Sequence, residues 1–500
     1  MTLLADPSTP GVPRTYSTVD PRDGSPIDSY PVADDAAVAA TVAAAREAAG
    51  WWADQGFAAR KRLLLRWKSA IANEASALAE VISRETGKSA SDAMLEVMLT
   101  LTHLDWAAKN AHDVLKRRKV HAGLMNYNQK ASLGYEPYGV VGVIGPWNYP
   151  FYTPMGSISY ALAAGNAVVF KPSELTPGTA VWIADRFAKA VGRPVLQALT
   201  GDGGTGAALV RAGVDKVAFT GSTRTAKKVM ALCAESLTPL VAECGGKDAL
   251  IVAADADLDA AADFVVFGSM GNAGQTCVGV ERVYVDRVVS EKLIAKVVER
   301  AQRVRVGGEK PTYGPMTLPS QTAVIAAHVD DALAKGGRAV LGGPESVGDR
   351  YVEPVILLDV PEDSDAVRHE TFGPTVVINT VGSVDEAVRL ANATEYGLGA
   401  AVFTKDAATG RRAAKQLKAG VVTINSVLGF AGIPALPFGG VKGSGFGRIH
   451  GADGLREFST PKSVAHQTGK AALNLLTVER SEKDDHMVAK LLPMLHGRAK

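Results

Sequence analysis

Residues 136–171 read EPYGVVGVIGPWNYPFYTPMGSISYALAAGNAVVFK, and no charged residue stands between the first and last positions of this run. The run is long enough to cross a bilayer. Pro146, Pro150, Pro154 and several glycines interrupt it, which argues against one membrane-spanning helix. We interpret it as a buried strand, a loop, a helix and a second buried strand. This pattern is typical of an α/β fold.

Strands and helices continue to alternate after this run. Buried-strand patterns recur at residues 216–219 and 248–252, which predicts a doubly wound, mostly parallel sheet. The segment from about residue 34 to 121 has apolar residues at helical spacing and predicts a helical lead-in, and the segment after about residue 467 predicts a charged helical tail. A second α/β set is expected, with strands near residues 282–285, 375–378, 400–403 and 421–425.

The composition disfavours several classes of function. A chain of 500 residues exceeds what one hydrophobic core usually serves, so we expect two or three domains. Lys and Arg together number 54 and Asp and Glu 52, and no basic stripe appears, so neither nucleic acid nor an anionic membrane is expected as a partner. The first residues lack the pattern of a signal peptide, and no transmembrane segment is expected.

The cysteines and histidines also limit the chemistry. Cys233, Cys244 and Cys277 form neither a disulfide framework nor a paired metal-ligand spacing. The nine histidines are scattered along the chain. We therefore predict that the protein holds no metal and works in the reducing cytoplasm.

Two short segments carry a carboxylate and a thiol beside glycines: residues 241–247 read VAECGGK, and residues 274–279 read GQTCVG. Glycines allow the backbone to approach a ligand closely. A cysteine attacks carbonyl groups and a glutamate supplies proton transfers, so the pair indicates covalent thiol chemistry. On their own, the same residues fit a small buried cysteine and a solvated surface glutamate equally well.

Further motifs decide between these interpretations, because they follow one another in a characteristic order. With them, the chain resembles the aldehyde dehydrogenase superfamily from roughly Asp20 to Lys462. The resemblance implies an α/β fold with a variant Rossmann cofactor domain, a second α/β catalytic domain and a small extended oligomerisation arm. The motifs are PWNYP at 146–150, KPSE at 171–174, FTGST at 219–223, ETFGP at 370–374 and PFGG at 437–440.

The resemblance also implies domain boundaries and an assembly. Strand-like segments around residues 126–135 and 462–465 match the family's arm, and an unpaired edge of this kind needs a partner strand, so we expect a homodimer or homotetramer. The expected domains are NAD-binding (1–119 and 138–245), catalytic (246–445), and the arm with the C-terminal tail (120–137 and 446–500).

Three positions receive chemical roles from the resemblance. Cys277 is the expected nucleophile, whereas Cys233 lies in an apolar helical pattern that fits a core. Asn148 is expected to donate to the oxyanion together with the backbone N–H of Cys277. Glu243 is expected to activate the water that hydrolyses the acyl thioester. The implied reaction oxidises an aldehyde to the carboxylic acid.

Two other functions compete with this one. A CoA-acylating relative would pass the acyl group to a thiol, and such relatives characteristically lack the glutamate that Glu243 supplies. A non-catalytic NAD-binding relative would have lost the chemistry. The joint presence of Cys277, Glu243, Asn148 and Glu370 argues against this second alternative.

The cofactor prediction depends mainly on Glu174. Gly201, Gly203 and Gly206 fit a GxGxxG pattern, but the acid that the ordinary fingerprint needs downstream is missing. The resemblance places the ribose-binding acid upstream instead, at Glu174 beside Lys171. A carboxylate there would accept ribose hydroxyls and repel a 2′-phosphate, so NAD is favoured and NADP remains an alternative.

Other residues are expected to hold the rest of the dinucleotide. Gly221 and Ser222 match the place where the pyrophosphate meets a helix N-terminus. Arg224 and Ala226 depart from the family pattern beside them, and the charge of Arg224 weakens the preference for NAD. The expected cofactor-binding residues are Trp147, Lys171, Glu174, Gly203, Gly221, Ser222, Glu370 and Phe372.

The substrate tunnel is expected to be mainly apolar or aromatic and to lack arginine. This favours aliphatic or aromatic aldehydes over semialdehydes that carry a carboxylate. The expected contributors are Trp147, Phe151, Tyr152, Thr276, Val278 and residues 426–430.

Overall fold

The computed structural model describes residues 14–123, 126–471, 473 and 475–497. These residues form two compact units. The larger unit consists of the described residues up to Val114 and of Pro137–Ser459, and the smaller unit consists of Leu115–Glu136 and the described residues from Thr460. Within the described residues, no helix is long and apolar enough to cross a membrane.

Helices frame both sheets of the larger unit and form most of its first hundred residues. The α-helices are α1 (Asp35–Asp54), α2 (Gly56–Asn73), α3 (Ala75–Thr86), α4 (Ala90–Leu115), α5 (Tyr152–Ala164), α6 (Pro177–Val191), α7 (Gly203–Arg211), α8 (Thr223–Glu235), α9 (Leu258–Met270), α10 (Ser290–Ala301), α11 (Gln321–Ala334), α12 (Asp365–Arg368), α13 (Val384–Ala391), α14 (Ala407–Gln416), α15 (Gly451–Glu457) and α16 (Glu482–His496).

The strands alternate with these helices over most of the chain. They are β1 (Thr15–Val19), β2 (Pro26–Pro31), β3 (Arg118–Val120), β4 (Gln129–Pro137), β5 (Val140–Ile144), β6 (Ala167–Lys171), β7 (Leu196–Ala198), β8 (Lys216–Thr220), β9 (Leu240–Glu243), β10 (Asp248–Val252), β11 (Val280–Asp286), β12 (Arg338–Leu341), β13 (Val355–Leu358), β14 (Thr375–Val381), β15 (Gly399–Phe403), β16 (Val421–Ile424), β17 (Gly445–Phe446) and β18 (Ser459–Gln467).

The larger unit contains two mostly parallel sheets. One has six strands in the order β17-β9-β8-β5-β6-β7, with only β17 antiparallel to its neighbour. The other has seven strands in the order β12-β13-β14-β11-β10-β15-β16, with only the β12–β13 pair antiparallel. The prediction of an α/β fold with parallel sheets is therefore confirmed.

The run at 136–171 folds as the sequence predicts. β5 and β6 are almost fully buried, and α5 between them is buried from Pro154 to Ala164. Small residues such as Gly156 and Ser157 make this burial possible, because they let the helix pack closely. Gly165 ends the helix at φ 111°, a conformation that glycine adopts without strain.

The six-stranded sheet brings three motifs to one edge. Its strand order reverses between β5 and β8, and ligands of doubly wound sheets bind at the carboxyl ends of the strands at such a point. β5 ends at Ile144, just before PWNYP, β8 ends at Thr220 within FTGST, and β9 ends at Glu243. The topology therefore places these motifs close together.

The smaller unit contains β3, all of β4 but Pro137, and all of β18 but Ser459, and β3 pairs antiparallel with β4. Lys462 and Glu136 form an exposed ion pair of 3.0 Å. The charged tail contains α16, as the sequence predicts. The predicted domain division stays a prediction, and residues 446–459, which it assigns to the arm and tail, lie in the larger unit.

Candidate active site

A cavity of about 370 Å³ lies in the larger unit at the carboxyl ends of β8 and β9. Both the thiol-bearing and the carboxylate-bearing segments reach it. Most of its wall is apolar or aromatic, and it contains no Lys or Arg among the described residues. The wall includes Leu95, Leu99, Tyr149, Tyr152, Glu243, Phe267, Thr276, Cys277, Val278, Val427, Leu428, Phe430 and His450.

The loop that carries Cys277 has an unusual backbone. Asn272, Ala273 and Gly274 are all left-handed, with φ of 54°, 56° and 70°. A Cβ atom on Gly274 would collide with the carbonyl oxygen of Gly373. Such strained backbone persists only where the surroundings hold it, and it concentrates at functional sites. The loop turns sharply after α9 and brings Cys277 to the cavity.

Cys277 is partly exposed and lies among acidic groups. Burial raises the pKa of its thiol, and the nearby carboxylates of Glu370, Asp248 and Glu243 raise it further, while the backbone N–H of Val278 opposes them. These surroundings therefore favour the protonated thiol over the thiolate. Attack on a carbonyl needs a base to take this proton, because the thiolate is the nucleophile.

Glu243 carries a carboxyl group that is shielded from solvent at the end of β9. Its side chain is buried, and neither oxygen makes a hydrogen bond of acceptable geometry within the described chain. Burial raises its pKa well above the usual value, and the charge of Arg448 and the backbone N–H of Gly440 oppose this increase. A carboxyl group with a raised pKa is a more effective base once it ionises.

Asn148 joins the PWNYP loop to the cysteine loop. Its side-chain Nδ2 donates to the carbonyl of Gln275 over 2.9 Å. Asn272 Nδ2 donates to the carbonyl of Asn148 over 3.2 Å, and the hydroxyls of Tyr149 and Thr276 are 2.9 Å apart. The structure thus brings Asn148 next to the loop of Cys277, as the resemblance requires.

The ETFGP motif contacts the PWNYP loop. The ring of Phe372, whose φ is 53°, lies edge-on to the ring of Trp147 with centroids 5.6 Å apart. Glu370 accepts a hydrogen bond of 3.0 Å from the backbone N–H of Gly246. A Cβ atom on Gly245 would collide with the Glu370 carboxylate. Burial, followed by the charge of Glu281, raises the pKa of Glu370 to about 8.

The remaining predicted cofactor residues follow β6 and β8. Lys171 is buried, and its Nζ lies 3.6 Å from the half-exposed carboxylate of Glu174. Burial lowers the pKa of Lys171, and the charge of Glu174 opposes this decrease. Ser222 caps α8 by accepting from the N–H of Thr225. A Cβ atom on Gly203 would meet no neighbouring atom within 4 Å.

These residues fit a dinucleotide. Glu174 and Glu370 offer acceptors for ribose hydroxyls, and the N-terminus of α8 offers N–H donors for phosphates. Asp202, which the sequence analysis did not include, caps α7 and adds a second negative charge near Lys171.

The expected tunnel residues divide between two places. Tyr152, Thr276, Val278 and residues 427–430 line the cavity. Phe151 is fully buried in the core, and Trp147 packs against Phe372 instead. Sequence reasoning also missed Lys88 and Glu96, a buried ion pair, because nothing in their local pattern distinguishes them from solvated charges.

A family model described as "Aldehyde dehydrogenase family" matches residues 9–464. The chain belongs to this family. It is 38% identical over 453 residues to the 4,4'-diapolycopene aldehyde oxidase of a Methylomonas species, covering 90% of this chain and 85% of that protein. It is 36% identical over 452 residues to a Mycolicibacterium smegmatis protein provisionally named succinate-semialdehyde dehydrogenase (NADP(+)), covering 88% and 87%.

Solved structures agree with this assignment. The NAD-dependent aldehyde dehydrogenase of Sinorhizobium meliloti has a TM-score of 0.88 and 34% identity, covering 92% of this chain and 93% of that one. The structure of PnpE with nicotinamide adenine dinucleotide has a TM-score of 0.86 and 31% identity, covering 92% and 95%. The predicted fold, family and enzyme class, an aldehyde dehydrogenase that uses a nicotinamide dinucleotide, are confirmed.

Proposed function

We propose that this aldehyde dehydrogenase oxidises apolar aldehydes to carboxylic acids, with Cys277 as nucleophile and Glu243 as the base that activates water. One observation carries the proposal: the thiol and an unpartnered, dry carboxyl group line the same apolar cavity. Hydrolysis of an acyl group on a cysteine needs such a base to activate water.

In the first step, the Cys277 thiol loses its proton to solvent water, and the Sγ thiolate attacks the aldehyde carbon to form a C–S bond and the oxyanion of a thiohemiacetal. The negative oxygen needs donors that are already in place. Asn148 Nδ2 is one, because its amide has a second hydrogen besides the one directed at Gln275. The backbone N–H of Cys277 is the other donor in this proposal.

After oxidation, the acyl group remains on Cys277 as a thioester. Glu243 takes a proton from water, and the hydroxide formed attacks the thioester carbon and releases the carboxylic acid. The raised pKa of Glu243 suits this role, because a general base is most effective when its pKa lies near the pH at which the enzyme works. A CoA-acylating enzyme would not need this base, so its presence favours hydrolysis.

The bound dinucleotide supplies the hydride acceptor of the reaction. We assign Glu174, Lys171, Gly203, Gly221 and Ser222 to its adenosine and phosphate groups. Trp147, Glu370 and Phe372 are assigned to its nicotinamide end, where the two rings and the carboxylate flank the cysteine loop. The carboxylate of Glu174 favours NAD over NADP, against the charges of Lys171 and Arg224.

The cavity supports apolar aldehydes as the substrate class. Leu95 and Phe267 line it and are 40% and 48% exposed, so apolar surface continues outward from it. Among the described residues its wall offers no Lys or Arg to neutralise a second carboxylate on the substrate, and the carboxyl group of Asp92 lines it. Succinic semialdehyde is therefore expected to be a poor substrate.

The smaller unit supports a homodimer or homotetramer. β18 is exposed over nearly its whole length and lies at the end of its sheet. An exposed edge strand is a template for a strand of another copy. We expect light scattering at micromolar concentration to give at least twice the monomer mass of 52.2 kDa. The monomer mass would contradict this proposal.

The cytoplasmic location stays a prediction.

The substrate class is tested with a panel of aldehydes. The unaltered protein should reduce NAD with long aliphatic and aromatic aldehydes at least about tenfold more efficiently, as kcat/KM, than with succinic semialdehyde.

The nucleophile is tested by Cys277→Ala. This variant should lose turnover and keep its NAD affinity within about threefold, because the thiol forms the intermediate. Cys233→Ala, a buried cysteine on α8, is the control and should keep full activity. Normal turnover of Cys277→Ala would refute the mechanism.

The base is tested by Glu243→Gln in a stopped-flow experiment. We expect a burst of reduced nicotinamide followed by a slow or absent steady state, because acylation proceeds and hydrolysis stalls. In the unaltered protein, kcat should rise with pH as the Glu243 carboxyl, whose pKa is raised, loses its proton. Glu235→Gln, at an exposed glutamate, is the control and should keep the steady-state rate and the pH dependence of kcat of the unaltered protein. An unchanged steady state in Glu243→Gln would assign the base elsewhere.

Cofactor choice is tested at Glu174. The unaltered protein should favour NAD over NADP in kcat/KM by at least about tenfold, or roughly 1.4 kcal/mol. Glu174→Ser should narrow this ratio by weakening NAD and admitting NADP, and Arg224→Ala should widen it. Equal efficiency with both cofactors in the unaltered protein would show that the basic residues neutralise the carboxylate.

A further inference from the structure

Lys88 and Glu96 form an ion pair that is completely buried. Their Nζ and Oε2 atoms are 2.7 Å apart, and neither side chain has any exposed surface. Lys88 follows α3 after the left-handed Gly87, and Glu96 lies on α4. Burying two charges costs several kcal/mol in desolvation, so a pair of this kind is weak evidence for stability alone.

Both charges act on the same loop. Lys88 Nζ donates to the carbonyl of Asn148 over 2.8 Å and lies 4.1 Å above the centre of the Tyr149 ring. Glu96 Oε1 accepts from the backbone N–H groups of Phe151 and Tyr152 over 2.8 and 3.0 Å. The lysine therefore fixes the beginning of the segment from Asn148 to Tyr152, and the glutamate fixes its end.

The fixed segment in turn contacts the nucleophile loop. Asn148 reaches the carbonyl of Gln275 through its side chain, and Tyr149 reaches the Thr276 hydroxyl. Gln275 and Thr276 immediately precede Cys277. Hydrogen bonds of 2.8 and 2.9 Å therefore connect Lys88 through Asn148 to Gln275, two residues before Cys277.

We propose that Lys88 and Glu96 are positioning residues for the oxyanion donor: the pair holds the backbone of Asn148 and Tyr152 so that the Asn148 amide stays aligned with Cys277. This inference rests on the role proposed for Asn148. A donor contributes only when it already lies at the place where negative charge develops. A displacement of about 1 Å at such a group costs on the order of 10²-fold in rate.

The experiment measures the burst rate constant of reduced nicotinamide and the melting temperature for a set of variants. Asn148→Ala should lower the burst rate roughly 10²–10³-fold, the usual loss for one oxyanion donor. Lys88→Met should lower it by about tenfold to a hundredfold with little change in KM. Lys88→Met combined with Asn148→Ala should stay within about threefold of Asn148→Ala alone, because Lys88 acts through Asn148.

A second pair of variants separates positioning from folding. Lys88→Met with Glu96→Gln removes both charges, keeps a side-chain oxygen for the N–H groups of Phe151 and Tyr152, and should restore most of the melting temperature lost in Lys88→Met. The burst rate should remain low, because Asn148 still lacks its lysine donor. Lys68→Met breaks a partly buried pair with Asp105, which also lies on α4, and should leave the burst rate unchanged.

The outcomes distinguish the two levels of the proposal. A normal burst rate in Asn148→Ala would refute the role of Asn148 and with it the proposed mechanism. A low rate in Asn148→Ala combined with a normal rate in the charge-free double variant would refute only the positioning role of the pair. Multiplicative effects of Lys88→Met and Asn148→Ala would also refute it, since independent defects multiply.

Discussion

Three stretches of backbone approach one another more closely than side chains would allow, and the active site depends on this contact. A Cβ atom on Gly246 would lie 2.6 Å from the carbonyl oxygen of Cys277, and one on Gly245 would strike the Glu370 carboxylate. Gly274 meets Gly373 in the same way. The end of β9, the cysteine loop and the ETFGP motif can therefore converge only where glycine removes the steric barrier.

This convergence explains the electrostatics of the site. Packing the three segments together excludes water, so burial is the largest cause of the raised pKa values of Cys277, Glu243 and Glu370. Each carboxylate then also disfavours the charge of the thiol. The same geometry that brings the reactive groups together thus keeps them protonated, and the reaction has to move protons before it can form the nucleophile.

The motif residues could be predicted from sequence because each stands at a strand end or a glycine turn, where local chemistry has a recognisable pattern. The contact between Trp147 and Phe372, residues more than two hundred positions apart, follows from the same fold. Lys88 and Glu96 could not be found in this way, because only tertiary packing distinguishes a buried charge from a surface one. Phe151 was misplaced because neighbouring residues point in different directions, so that Phe151 faces the core while the adjacent Tyr152 lines the cavity.

The raised carboxyl pKa values also connect activity with stability. Burial raises the pKa of Glu370 to about 8 in the folded chain from a usual value of 4.5, so between these pH values the folded state holds a proton that the unfolded state releases. The contribution of Glu370 to the free energy of unfolding therefore falls as pH rises from about 4.5 to about 8. Formation of the Cys277 thiolate and ionisation of Glu243 increase in the opposite direction. As pH rises, the site therefore gains reactive ionised groups and loses folding stability. Both changes have the same cause, which is the exclusion of water from the three packed segments.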